Sequence, residues 1–180
     1  RVKGIDHDFD WQYLEERIQE GGKLELTEYL IDYAYRDRKN NLEHKDTLEM
    51  TKVAKVDQEY FNSASKDILV SKTLANRLKI DLGDHITLFF IKGNSINTFS
   101  RKLKVTGLYH TGLDEYDRLY CFVDIKHIQK LNGWERDEVG GYEVFINNVG
   151  QLDKTDSLIY KKLPMNLKSL TIKEVFPNIF

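Results

Sequence analysis

The residues able to do chemistry are few and scattered. Five histidines, His7, His44, His85, His110 and His127, are spread along the chain, and no pair has zinc-ligand spacing. The cluster Asp6-His7-Asp8 with Asp10 could offer oxygen ligands to a hard cation. It lacks the loop length and the terminal bidentate Glu of a calcium site, so a solvated turn is the simpler reading. His110 with Asp114 and Asp117 is the best acid–base group, since proton transfer needs an imidazole held by a carboxylate. No nucleophile accompanies it, and an ordinary polar loop after a strand explains the trio as well. Ser63, Ser65 and Ser71 lie in no G-x-S-x-G elbow, and Ser71 is better used as a helix cap. The 11 glycines never form a phosphate-binding loop or a dinucleotide fingerprint. The expectation is a protein that is not an enzyme and needs neither metal nor cofactor.

The elements that would position these residues centre on Ile68–Ile86, ILVSKTLANRLKIDLGDHI. Ile68, Leu69 and Val70 read as a strand, and Ser71 stands where a helix N-cap belongs. Leu74, Ala75 and Leu78 share one face of a helix of about two turns. Leu82-Gly83-Asp84 turns the chain with φ > 0 at the glycine, and His85–Ile91 begins a new strand. Ile86–Ile91 and Lys102–Tyr109 form a hairpin across the polar loop Gly93–Thr98. Leu119–Val123 reads as a strand, and Asp124 caps a helix that Asn132-Gly133 stops.

Earlier in the chain, Arg1–Ile5 reads as a strand, and Trp11, Leu14 and Ile18 recur as on one helix, ended by Gly21-Gly22. Between Glu28 and Lys66 the pattern is poor: Tyr29, Ile31, Tyr33 and Tyr35 alternate as in a strand, and Arg36–Asp46 is charged and loop-like. Late in the chain, Tyr142–Ile146 and Ser169–Val175 read as strands flanking a helix over Gln151–Leu163.

Composition narrows the class of partner. The 180 residues are 41% hydrophobic and 31% charged, as in a globular domain and not a disordered chain. Twenty-seven basic against 29 acidic residues give a net charge of −2, so no chain-wide field draws in nucleic acid or anionic lipid. The apolar run Leu88–Ile91 falls far short of the about 20 residues of a membrane span. Cys121 stands alone inside a strand reading, so it is expected in the core, with no intrachain disulfide. A start directly on RVKGI, without Met, is expected of an excised fragment.

Two segments carry a family resemblance. ILVSKTLANRLKIDLGDHI, and Val105–Leu119 (VTGLYHTGLDEYDRL), resemble blocks of the extracytoplasmic domain of MacB/FtsX-type ABC transporter permeases. Within that superfamily they are most similar to the lipoprotein-releasing permeases LolC and LolE. Thr111, Gly112, Leu113, Glu115, Tyr116 and Asp117 stand in the places of the family's Ser-Gly-(Leu/Met)-x-Glu-Tyr-Asp, with Thr111 for the usual Ser. Phe122–Gly133 and Val2–Phe9 add to the likeness, with His7 where the family usually has Pro.

The resemblance implies an α+β fold: a mixed-sheet lobe built from both chain ends, residues 1–27 and 138–180, with a β-rich lobe, residues 28–137, inserted between them. It implies a domain on the periplasmic face of the inner membrane that couples cytoplasmic ATP hydrolysis mechanically to release or export of an envelope substrate. Its partners would be an ABC ATPase subunit reached through the membrane part, a second permease subunit, and a lipoprotein or periplasmic protein. No nucleic acid is expected, and the isolated fragment is expected to be monomeric. Leu113, Tyr116 and Tyr120, around the Gly112 turn, either pack the loop onto its own lobe or meet a partner. The runner-up is a soluble ligand-binding or assembly module unrelated to transport, and a weaker third is a hydrolase in which His110 converges with a serine.

Overall fold

Alternate side chains of a strand point to opposite faces, so a strand buried on both sides must lie inside a sheet covered twice. Asp67–Ser71 (β3) is such a strand in the computed structural model, which describes residues 1–26, 55, 57–91 and 98–177. Ile68 and Val70 enter one apolar cluster with Ala75, Leu103, Val105, Leu108, Cys121 and Val123. Leu69 faces the other way, into a cluster with Ile5, Leu14, Leu24, Tyr109 and Phe122. The remaining elements are arranged around those two faces.

The protein is α+β. Among the described residues its strands are β1 (Val2–Ile5), β2 (Ile18–Gly21), β3, β4 (His85–Ile91), β5 (Thr98–Tyr109) and β6 (Cys121–Asp124). They form one mixed sheet in the order β1-β6-β3-β5-β2, with β4 also paired to β5. β1 runs parallel to β6 and β3 parallel to β5, while β2 and β4 are antiparallel to β5 and β6 is antiparallel to β3. Helices α1 (Gln12–Glu15), α2 (Lys72–Leu78), α3 (Asp114–Leu119) and α4 (Ile125–Asn132) accompany the sheet. Later in the chain come a 3-10 turn at Val149–Gln151 and helices α5 (Leu152–Tyr160) and α6 (Ile172–Val175).

The chain divides into two compact units, Arg1–Val139 and Gly140–Phe180. The expected pairing of the two chain ends in one sheet is not what the strands show, since β1 and β2 pair with β6 and β5. Val2↔Cys121 and Ile5↔Asp124 place β1 beside β6, in the same sheet as the β4–β5 hairpin. The two late strands that were to hold β1 do not form. Tyr142, Val144 and Phe145 belong to the expected strand Tyr142–Ile146, yet among the described residues no strand forms there and all three are exposed. A lone strand leaves its backbone groups unpaired, so strand-type residues without a neighbour are not enough. Ser169–Val175 contains α6 instead, started by a capping box in which Thr171 and Glu174 exchange hydrogen bonds.

The helix expected from Trp11 to Ile18 is also shorter. α1 ends at Glu15, and Ile18 pairs with Tyr109 in β2, so a helical period gave way to sheet pairing. Gly21 closes that strand rather than a helix. The hairpin strands, the Ser71 and Asp124 caps and the stop at Gly133 form as expected. The hairpin loop, the Tyr29–Tyr35 alternation, the Arg36–Asp46 loop and residue Phe180 lie outside the described residues.

Candidate functional site

The loop that leaves β5 is built around one carboxylate. Beyond Tyr109 the chain turns at Gly112 (φ +81°), and Leu113 leads in extended conformation into α3. Asp117, in the first turns of α3, directs its side chain back to the start of the loop. It accepts from the Thr111 backbone N–H at 3.1 and 3.2 Å and from the Thr111 hydroxyl at 2.7 Å. His110 Nδ1 lies 2.7 Å from its other oxygen. The same Thr111 hydroxyl accepts from Leu113 N–H at 3.2 Å, so a single side chain satisfies both ends of the turn. Asp117 is fully buried, and a buried carboxylate is tolerated only with such a set of donors.

A second bond fixes the loop to the centre of the sheet. The Ser71 hydroxyl donates to the backbone carbonyl of Asp117 and accepts from Leu74 N–H at 3.1 Å. Ser71 thus caps α2 and holds α3 with one oxygen. The two segments that carry the family resemblance, remote in sequence, are joined at this atom. Between α2 and α3 opens a shallow cleft of about 310 Å³ lined by Thr73, Leu74, Arg77 and Arg118.

Of the expected acid–base trio, His110 and Asp117 meet and Asp114 does not. Asp114 faces solvent, 3.5 Å from Arg118 one helical turn on. A buried carboxylate on Nδ1 of a part-exposed imidazole is the orienting half of a catalytic triad. The Ser71 hydroxyl does not serve as its nucleophile, because it is committed to Asp117 and Leu74. What the geometry does is hold the loop's shape.

The three residues expected to meet a partner divide. Leu113 is exposed at the turn. Tyr116 packs against Phe122, with ring centroids 6.4 Å apart, and against Tyr120 at 4.7 Å. The Tyr120 carbonyl accepts from the Tyr109 hydroxyl at 2.7 Å. Tyr116 thus packs on its own unit, and Leu113 is exposed.

The other sequence candidates have structural uses. His7 Nδ1 is 3.0 Å from Asp6, and Asp10 accepts from Gln12 N–H at 3.0 Å at the start of α1. Among the described residues no group of three or more His, Cys, Asp or Glu side chains is arranged to hold a metal ion. Cys121 is buried beside the Arg1 carbonyl, and burial pushes its thiol up to about 11.

Sequence reasoning missed a polar cluster beneath α4. Lys126 is buried 3.6 Å from Asp124, with its ammonium over the Tyr60 ring, and Arg136 lies over the same ring. The Tyr60 hydroxyl donates to Gln129 at 2.9 Å, and Gln129 donates to the carbonyls of Arg136 and Glu138. Burial first, then Asp6 and Asp124, push the Tyr60 phenol above its ordinary range, which keeps it a donor. Lys, His and Gln on a helix read as a wet face, but Tyr60, from the stretch with the poorest pattern, lies against Lys126 and Gln129. No protein-family model matches this chain, and no curated protein matches it.

Proposed function

We propose that this chain is the extracytoplasmic domain of an ABC transporter permease of the MacB/FtsX type, nearest to the lipoprotein-releasing permeases. The observation that carries the reading is the bond from Ser71 to the Asp117 carbonyl. It makes the two resembling segments one mechanical piece, in which a loop bearing an outward Leu113 is held rigidly on the central strand. Such a piece suits transmission of movement to a bound protein, because a loop fixed by buried hydrogen bonds moves with its sheet.

In this reading the domain does no chemistry. His110 and Asp117 serve the loop's shape, and ATP hydrolysis belongs to a cytoplasmic subunit reached through membrane helices. A second permease subunit and a lipoprotein or periplasmic protein are the proposed partners, the latter meeting Leu113 and the Arg77–Arg118 cleft. The layout of the chain ends lends no support, since β1 lies in the central sheet. The reading rests on the loop.

The test is the full-length gene product. An apolar segment of about 20 residues on each side of these 180, with recovery of the protein in the membrane fraction, is the expected result. Absence of both segments would overturn the proposal. The second reading, a soluble assembly module, is favoured by the exposed Tyr142, Phe145, Met165 and Leu167 of the unit at Gly140–Phe180.

A further inference from the structure

Charge averaged over the chain conceals a segment of one sign. Between Asp156 and Glu174 there are four lysines, Lys161, Lys162, Lys168 and Lys173, and no acidic residue. Large apolar side chains interleave with them, and they are not buried: Leu158, Tyr160, Leu167 and Leu170 are more than half exposed and Met165 fully so. The backbone is defined throughout. α5 ends at Tyr160, Leu167 N–H donates to the Pro164 carbonyl at 3.0 Å in a turn, and the Thr171–Glu174 capping box starts α6. Lys173 reaches Asp153 of α5 at 3.6 Å. Among the described residues no ion pair engages Lys161, Lys162 or Lys168. Glu174, which feels the charge of Lys168, is held by the backbone and hydroxyl of Thr171.

From this pattern we infer that residues 157–173 bind the surface of a bilayer containing anionic phospholipid. An exposed segment that is apolar and cationic at once fits few partners. Water leaves its leucines and methionine exposed at a cost, and an apolar protein groove would have to desolvate three ammonium groups. A lipid interface takes both. The apolar side chains enter the boundary between headgroups and acyl chains while lysine stems extend towards the phosphates. Tyr160, apolar in its ring and polar at its tip, belongs at that depth. Each lysine near an anionic surface strengthens partitioning by about fivefold, so three together give on the order of a hundredfold. The inference stands on these residues and not on the permease reading.

The whole 180-residue chain would be sedimented with vesicles of phosphatidylcholine alone and of phosphatidylcholine with about a third phosphatidylglycerol, the anionic lipid being the source of attraction. It should pellet with the anionic vesicles, and about 0.5 M salt should release most of it by screening. Lys161→Glu, Lys162→Glu and Lys168→Glu combined should abolish pelleting, and Met165→Ser with Leu167→Ser should weaken it while leaving salt sensitivity. All five positions are exposed, so unchanged circular dichroism is expected of each variant and is measured alongside. Equal binding to neutral vesicles, or none to either, would overturn the inference. So would self-association that buries the patch and persists in the triple charge reversal, since a second copy would then be the occupant. Failure here leaves the permease proposal to the gene sequence, which tests it separately.

Discussion

The two units of this chain treat apolar residues in opposite ways. In Arg1–Val139 the strands β3 and β6 bury nearly every side chain, and Ile68, Val105 and Val123 are sealed from solvent. In Gly140–Phe180 the helices are short, and Phe176 is the one large apolar side chain buried among the described residues of that unit. Both segments are comparably apolar in sequence, so composition does not explain the contrast. Pairing does. Each strand added to β3 brings a side chain to both faces of the sheet, whereas two helices of nine and four residues have one stripe each and little to lay it on. The exposed apolar side chains among the described residues of that unit are available to something else.

The sharpest way to break this contrast is to truncate one side chain in each unit. Phe122 touches Tyr109, Tyr116 and Phe9 and is almost fully buried, so Phe122→Ala should cost about 3–5 kcal/mol in urea unfolding. Leu167→Ser, in the C-terminal unit, should fall within about 0.5 kcal/mol of the parent. A loss above about 2 kcal/mol for Leu167→Ser would mean that its exposure here is not its state in solution.

A smaller effect separates buried from exposed charge within the first unit. Asp117→Asn keeps the shape but turns charge-assisted bonds from Thr111 and His110 into neutral or mismatched ones, for a loss on the order of 2–3 kcal/mol. Asp114→Asn, three residues earlier and in solvent, should change stability by less than about 0.5 kcal/mol. Equal effects at the two positions would show that the loop is not organised by Asp117.

How much of this was legible follows from range. The stretch from Ile68 to Ile91 could be read because its signals are local: a cap at Ser71, a face at Leu74 and Ala75, a turn at Gly83. Asp117 could be nominated as a polar residue in a loop, but its burial depends on Thr111 and His110 folding back and on Ser71 arriving from β3. Lys126 could not be read at all, because the ring that covers it comes from Tyr60. The late strands failed for the converse reason, since Tyr142–Ile146 has strand-type residues and no pairing neighbour among the described residues. Thr171-Ile172-Lys173-Glu174 carried a capping-box spacing that was there to be used and outweighs the β-type residues around it.

Two glycines refine what holds the sheet together. Gly83 and Gly21 both have positive φ, +90° and +77°. A Cβ at Gly83 would meet nothing within 4 Å, whereas one at Gly21 would lie 2.1 Å from the Thr106 carbonyl. Gly83→Val should therefore cost backbone strain alone, about 1–3 kcal/mol. Gly21→Ala should cost more than Gly83→Ala, because it must also push β2 off β5. If the two alanine variants unfold at the same urea concentration, close approach of β2 to β5 contributes nothing.

The smallest effect expected is a pH dependence, and it also divides the units. His127 Nε2 lies 2.6 Å from the Ser65 carbonyl, so that nitrogen carries a proton and donates. Burial lowers the imidazole pKa below its ordinary value, Arg101 and Lys130 add to the lowering, and the Ser65 carbonyl and Asp124 oppose it. Above about pH 7.5 the ring is neutral whether the chain is folded or not, and it contributes no slope. As pH falls below that value the unfolded chain takes up a proton that the folded chain resists. The unfolded state then binds more protons, so stability declines until the lowered folded pKa is passed. Glu174, fully exposed, is lowered by its bonds from Thr171, so its stabilisation of α6 is lost only as pH falls through and below the ordinary carboxylate range. Both tryptophans, Trp11 and Trp134, lie in the first unit, so their fluorescence reports its unfolding. Urea midpoints read that way should drop modestly between about pH 7.5 and pH 5.5, the window set by the unperturbed imidazole. His127→Gln cannot take up a proton and should flatten the slope in that window. A slope unchanged in His127→Gln would assign the dependence to another group and remove His127 from the account.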